Sequence, residues 1–215
     1  MNEETLDFSL LLASSIHDIK NSLSHLMTQL EKSPHTSADM AYDTQRMHND
    51  LTQLLSLYQL NESAYTLQLD YCHINQLLEE SVWTNQTLAT RQKITLSFNC
   101  PDNLCWFIDQ HLITSVLNNL IINALRYAKK HVVLSAKTQH NQLIIQVTDD
   151  GTGFQENLLK QLQDPSPIYA SQSTHGLGLY FAKRVLGLHK NKHKHGSIAF
   201  NNLDDGGALC QLTLP

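Results

Sequence analysis

The sequence predicts an α+β chain: a helical hairpin over residues 1–62, then an α/β sandwich of one sheet and one helical layer over residues 63–215. Three observations predict it. Two apolar lines stepping by four and three residues run through the first 60 positions. From about residue 65 the texture changes to short alternating stretches interleaved with longer helical ones. No glycine precedes Gly151, whereas all eight fall in the last third of the chain.

The first apolar line is Leu12, Ile16, Ile19, Leu23, Leu26, Leu30, and the second is Met40, Thr44, Met47, Leu51, Leu54, Tyr58. Each is a heptad seam on one helix face. SPHTSAD, residues 33–39, is a loop by composition. Two helices with a seam each cannot close a core alone, so a second copy is expected to complete a four-helix bundle in a homodimer. TLQLDY (66–71) and KITLSFN (93–99) alternate as strands do, and residues 73–88 carry helical spacing at Ile74, Leu77, Leu78 and Val82. Residues 109–128 form a long apolar-faced helix. HVVLSAK (131–137) and NQLIIQVTDD (141–150) read as a strand hairpin, and 154–175 as a loop-rich stretch. GLGLYFAKRVLGL (176–188) reads as a helix, and GSIAFNN and GGALCQLTLP as closing strands.

Composition narrows the function. The net charge is −5 and only 16% of residues are charged, which disfavours a nucleic-acid partner. No apolar run reaches membrane-span length and the acidic N-terminus is unlike a secretory signal, so a cytoplasmic chain without a membrane segment is expected. Cys72, Cys100, Cys105 and Cys210 lack metal-site or redox spacing and are expected as reduced, mostly buried thiols.

Four segments carry chemistry. In DDGTGF (149–154), a carboxylate at a strand end precedes two glycines that let the backbone approach a ligand closely. Asp149 can accept a hydrogen bond from an exocyclic amine such as that of adenine; taken alone, the segment is equally a plain turn. In THGLGL (174–179), Gly176 and Gly178 flank Leu177 at a helix start, where free N–H groups and the helix dipole suit an anion. The spacing fits neither the P-loop nor the Rossmann fingerprint. On the long helix, Asn119 and Asn123 lie four apart on one face and suit a hydrated Mg²⁺ on phosphates. Arg126 shares that face and can reach a phosphate, and Tyr127 can contact a nucleoside. In SIHDIKNSL (15–23), His17 lies beside the first seam, Asp18 is adjacent, and Asn21 is one turn on. A neutral imidazole is a nucleophile near neutral pH, and a carboxylate beside it can fix its tautomer and take its proton.

In this order the four segments resemble the two-component sensor histidine kinases over nearly the whole chain. HDIKN is similar to the phospho-acceptor box of the dimerization and histidine-phosphotransfer domain, and NNLIINALRYA to the N box of the ATP-binding domain. DDGTGF and THGLGL resemble the two glycine boxes that follow, and GGALCQLTLP the closing strand. The resemblance implies a GHKL ATP-binding domain of Bergerat-type α/β sandwich fold. It implies phosphorylation of His17 with Asp18 as assisting base, and Asn21 as the residue that positions a water for dephosphorylating a partner. It further implies ATP and Mg²⁺ as cofactors: Asn123 on Mg²⁺, Asn119 near the metal or phosphates, Arg126 and Tyr127 on the nucleotide, Asp149 on adenine. Gly151 and Gly153, with Gly176, Leu177 and Gly178, would bracket a lid over the phosphates. The implied activity is an autophosphorylating protein-histidine kinase that passes its phosphoryl group to an aspartate of a response regulator receiver domain and also removes it.

The pattern departs from the family at three places. Ser22 stands where the family usually has proline, so less bending of the first helix is expected. The short segment 155–173 holds Tyr169 but no phenylalanine. HKNKHKH (189–195) replaces a compact turn and is expected as a solvated loop. With few residues ahead of the first helix, no sensory domain is expected in the chain. The expectation is a kinase core regulated by a separate sensory protein, or a fragment; the initiating Met and closing Leu-Pro favour a complete chain. Two competing readings are an ATP-independent histidine phosphotransfer relay, which needs neither Asn123, Asp149 nor the glycine pairs, and a GHKL serine kinase of the anti-sigma type, which the His17 hairpin disfavours. If the hairpin holds the dimer, residues 64–215 alone are expected to be monomeric by light scattering, and a surviving dimer would refute the assignment.

Overall fold

A computed structural model of the chain describes residues 19, 21, 22, 46, 47, 49–54, 56, 57, 60, 66–163 and 176–215. The chain divides into two compact units, Met1–Tyr65 with Ser166–Phe181 and Thr66–Pro165 with Ala182–Pro215.

In the first unit, residues 19, 21 and 22 are helical, as are the described residues from 46 to 60. The buried positions of that second stretch are Met47, Gln53, Ser56, Leu57 and Leu60, while Leu51 is 46% exposed. The buried stripe therefore departs from the predicted line Met47–Leu51–Leu54. Gln53, Ser56, Leu57 and Leu60 recur at three and four, the spacing of one helix face, with polar residues among them.

The second unit runs β1 (Asp70–His73), α1 (Ile74–Arg91), β2 (Thr95–Asn99), β3 (Cys105–Ile108), α2 (Gln110–Tyr127), β4 (His131–Gln139), β5 (Gln142–Asp149), α3 (Glu156–Gln163), α4 (Gly176–Leu188, whose first turns fall in the other unit), β6 (Lys190–Asn191), β7 (Lys194–His195), β8 (Ser197–Asn202) and β9 (Ala208–Leu214). Five strands form the main sheet in the order β2-β4-β5-β9-β8. Only β2 and β4 pair in parallel. Helices α1 and α2 pack on each other and on this sheet. The register aligns Val132 with Asp149, Leu134 with Val147, Ala136 with Ile145, and Ile145 with Leu212, so these side chains share one face, and all of them are buried. On the other face Gln146 donates to Gln211 at 2.9 Å.

The helices form where apolar residues recur at three and four. Helix α1 buries Ile74, Leu77, Leu78, Ser81, Asn85, Leu88 and Ala89. Its two interior polar side chains are satisfied: Ser81 Oγ donates to Leu77 O at 2.8 Å, and Asn85 Nδ2 to Ser81 O at 2.8 Å and to Asn118 Oδ1 of α2 at 2.9 Å. The chain then leaves through Lys93 at φ 60°, with the Ile94 N–H returning to Ala89 O at 3.0 Å.

Helix α2 is capped by Asp109, whose Oδ1 accepts from the Leu112 N–H at 3.1 Å. Its Oδ2 accepts from the Gln68 N–H at 3.0 Å, and its own N–H donates to His189 Nε2 at 3.0 Å. His189 is buried and its Nδ1 lies 2.8 Å from Val185 O, so Nδ1 carries the proton and the ring is neutral.

Three elements differ from the sequence reading. Strand β3, in DNLCWFI, was hidden by its shortness. Helix α3 lies where loop was expected, its Lys160–Glu156 ion pair at 2.8 Å joining exposed residues one turn apart. HKNKHKH is not an open loop: β6 and β7 pair across it with Lys192 at φ 54° in the turn, and the Gly196 N–H closes its base on His189 O at 2.8 Å. The thiols are free as expected, but only Cys72 is buried; the other three are of intermediate exposure.

Burial pushes the His189 imidazole below its ordinary value of 6.5, against opposing effects of the Val185 carbonyl and Asp109. As pH falls below that value the unfolded chain takes up a proton that the folded chain refuses, so folding stability falls with acidification. From about pH 7.5 to about 5, denaturant unfolding is expected to show this loss, at most ~1.4 kcal/mol per pH unit from this group. The slope is expected to be shallower in His189→Gln; equal slopes would remove His189 as the cause.

Candidate nucleotide site

Asp149 is the last residue of β5, and its side chain turns onto the covered face of the sheet, 8% exposed. Its Oδ1 accepts from the Gly151 N–H at 2.8 Å and from the Ala208 N–H at 3.4 Å. Burial raises its carboxyl above the usual carboxylate value; the amides of Gly151 and Ala208 act against that, and Asp150 adds to it. The result is a largely buried acceptor whose partners among the described residues are backbone amides, with no cation among them.

Glycines make the approach possible. A β-carbon at Gly151 would collide with the Tyr127 carbonyl oxygen, and one at Gly207 (φ +99°) with the Asp149 carbonyl oxygen. The end of α2, the end of β5 and the turn into β9 thus meet at backbone contact distance. Asp150 secures the same junction, its carboxylate accepting from the N–H groups of Lys129 at 2.8 Å, Lys130 at 3.0 Å and His131 at 3.1 Å. Desolvation raises the Asp150 carboxyl, but these amides outweigh it and leave the group below the ordinary carboxylate value. Beyond Gly153 (φ +73°), Asn202 clasps Phe154 from both sides, accepting from its N–H at 2.7 Å and donating to its carbonyl at 3.0 Å. The Phe154 and Phe200 rings stack edge to face at 5.7 Å.

Helix α2 presents the remaining polar groups. Asn119 is buried, and its Oδ1 accepts from Asn123 Nδ2 at 3.4 Å. That bond uses the amino group of Asn123 and leaves its carbonyl oxygen for an outside partner. Asn118, the neighbour of Asn119, is committed to α1 through Asn85. Arg126 and Tyr127 are exposed, the guanidinium 5.5 Å from the centre of the Tyr127 ring.

The structure thus brings together Asp149, Gly151 and the Tyr127 end of α2, the helix that also carries Asn119, Asn123 and Arg126, while Gly153 lies against Asn202 and Gly207. Gly176, Leu177 and Gly178 form the first turn of α4 and belong to the other unit. Asn21 is helical and exposed, and Ser22 is buried. His17, Asp18 and residues 164–175, which include most of the expected lid, lie outside the described residues. Sequence reading missed Gly207, Ala208, Asp150 and Asn202. The paired glycines at 206 and 207 were a usable signal, since two in a row before a strand mark a backbone that something approaches closely; Asn202 gave none.

Comparison with known proteins places this geometry. The heme sensor protein HssS of Staphylococcus epidermidis (strain ATCC 12228 / FDA PCI 1200) is 27% identical over 199 residues, covering 87% of this chain and 43% of that protein. The chain thus spans less than half the length of the curated relatives it matches. Among solved structures, the Acinetobacter baumannii histidine kinase AdeS superposes with a TM-score of 0.66 at 15% identity, over 92% of this chain and 96% of that one. The histidine kinase ThkA, solved with response regulator protein TrrA, superposes at 0.67 and 17% identity, over 95% of this chain and 60% of that one. At these identities the structures speak for the fold. Residues 108–215, β3's last residue through the end of β9, match the model of one family, and they hold every site residue on α2, β5 and the β8–β9 turn: the chain belongs to the histidine kinase-, DNA gyrase B-, and HSP90-like ATPases.

Proposed function

We propose that the chain is the kinase core of a two-component system: it binds ATP at Asp149, transfers the γ-phosphoryl group to His17, and passes it to an aspartate of a response regulator receiver domain. The observation that carries the reading is Asp149, a buried carboxylate at a strand end whose partners among the described residues are backbone amides. Such a group suits the exocyclic amine of adenine, and an ATP-independent relay has no use for it. The family match to ATPases supports nucleotide use. The likeness to the HssS sensor proteins, and to a kinase solved with a response regulator, supports the regulator as partner.

Asn123, with its carbonyl oxygen not engaged by Asn119, supplies an oxygen donor of the kind Mg²⁺ takes, and Asn119 orients it. Bound there, Mg²⁺ would neutralise charge on the phosphates. Arg126 would pair with a phosphate, Tyr127 would flank the nucleoside, and Gly176, Leu177 and Gly178 would offer backbone amides to the phosphates. At the acceptor, His17 Nε2 or Nδ1 attacks phosphorus and Asp18 takes the released proton. Asn21, exposed on its helix, would hold a water for the reverse dephosphorylation. The protein works as a cytoplasmic homodimer through its hairpin; the 46% exposure of the seam residue Leu51 supports a second copy covering that face. No helix among the described residues is long and apolar enough to cross a membrane.

Two outcomes are expected. Asp149→Asn weakens binding of a non-hydrolysable ATP analogue by about 1.5–3 kcal/mol in calorimetry, the worth of a hydrogen bond to a charged group. Because burial raises the Asp149 carboxyl, affinity in the unmodified protein starts to fall on acidification above the ordinary carboxylate range, and the variant loses that slope. Unchanged affinity in a folded Asp149→Asn protein would move the nucleotide elsewhere. His17→Gln abolishes acid-labile incorporation from γ-labelled ATP while leaving analogue affinity unchanged. Label on that variant would assign the acceptor to another histidine.

A further inference from the structure

The ribbon formed by β1 and β3 lies outside the nucleotide site. Its antiparallel register sets Tyr71 opposite Phe107 and His73 opposite Cys105, with Cys72 opposite Trp106 in between. Alternation places Tyr71, Phe107, His73 and Cys105 on one face and Cys72 on the other. Tyr71 and Phe107 are exposed, their rings 5.3 Å apart. On the same face, one step along, Cys105 Sγ lies 3.2 Å from His73 Nδ1. Cys105 is of intermediate exposure and His73 is exposed. His73 occupies the N-cap position of α1, yet its side chain makes no cap bond, so the imidazole is engaged with the sulfur and not with the helix.

The other three thiols stand differently. Burial pushes Cys72 and Cys100 up, and Cys210 to about 12, which keeps them protonated and inert. Cys72 bonds the carbonyl oxygens of Asp70 and Ile108, and Cys100 that of Pro101. Among the described residues, Cys105 is the cysteine that faces a base.

We propose that Cys105 is a thiol-modification site, activated by His73 and oxidised by hydroperoxides to the sulfenic acid. The Cys105 S–H proton passes to His73 Nδ1. The sulfur attacks one peroxide oxygen, the S–O bond forms and the O–O bond breaks. The departing oxygen takes the electron pair and the proton held on His73, leaving as water or alcohol. Sulfur is oxidised by two electrons and the peroxide is reduced by two. Cys72 points to the opposite face of the ribbon, so the product stays a sulfenic acid that an external thiol can reduce.

The test uses the full chain, hydrogen peroxide near neutral pH, a cyclic dione that traps sulfenic acids, and peptide mass spectrometry. Cys105 is expected to be trapped roughly tenfold or more faster than Cys100, which is of the same intermediate exposure but held protonated by burial and so marks the rate of an unactivated thiol. His73→Asn, which removes the imidazole while supplying a favoured N-cap, is expected to bring Cys105 down to the Cys100 rate. Equal trapping of Cys105 and Cys100 in the unmodified chain overturns the proposal without any variant. A fast Cys105 that His73→Asn leaves unchanged overturns the role of His73 and the proposal with it.

Discussion

The placement of helix α2 depends on Asp109. This one residue is 2% exposed and ties three parts of the chain together: Oδ1 caps the helix, Oδ2 holds the Gln68 amide, and its N–H is given to His189. A buried carboxylate left without partners would be costly, and each oxygen here has a backbone donor. The axial position of α2 follows, and with it the height at which the Tyr127 carbonyl arrives beside Gly151, just past the end of β5. The polar pair Asn85–Asn118 fixes the same helix sideways against α1. Cap and crosslink together leave α2 little freedom to slide or turn.

At the far end of α2 the constraint passes to backbone contacts. Gly151 and Gly207 let three chain segments approach more closely than any side chain would allow, and Asp150 gathers three successive amides at the junction. Asp149 and Asp150 are neighbours with opposite electrostatics. The first is lifted by burial and the second is lowered by its amides. Asp150 accepts from three successive amides, whereas Asp149 is held by two, both on Oδ1.

Much of this was legible in residue order. The helix over 176–188, the strand hairpin after residue 131 and the strand-end position of Asp149 all follow from periodicity and glycine placement. What was not legible has physical causes. Strand β3 is four residues long and exists because β1 pairs with it, which no local pattern records. Asn202 is an unremarkable strand-end amide until the fold brings Phe154 to it, 48 residues away in sequence. Within one chain the buried positions from Met47 to Leu60 include Gln53 and Ser56, polar residues that an apolar heptad line does not mark. For the candidate site, residue types were readable, but the convergence of the end of α2, the end of β5 and the β8–β9 turn was not.

The strand order β2-β4-β5-β9-β8 bears on how the protein is made. Strand β9 is the last of the sheet to be synthesised, yet it sits inside it, between β5 and β8. On the ribosome, β5 therefore emerges with its inner edge bare, and β8 has no neighbour at all until residues 208–214 clear the exit tunnel. An open edge of LIIQV sequence is sticky, and nascent chains are most exposed to mispairing in such intervals. The Ala208 amide also binds Asp149 Oδ1, so that carboxylate lacks one of its two backbone donors until β9 has emerged.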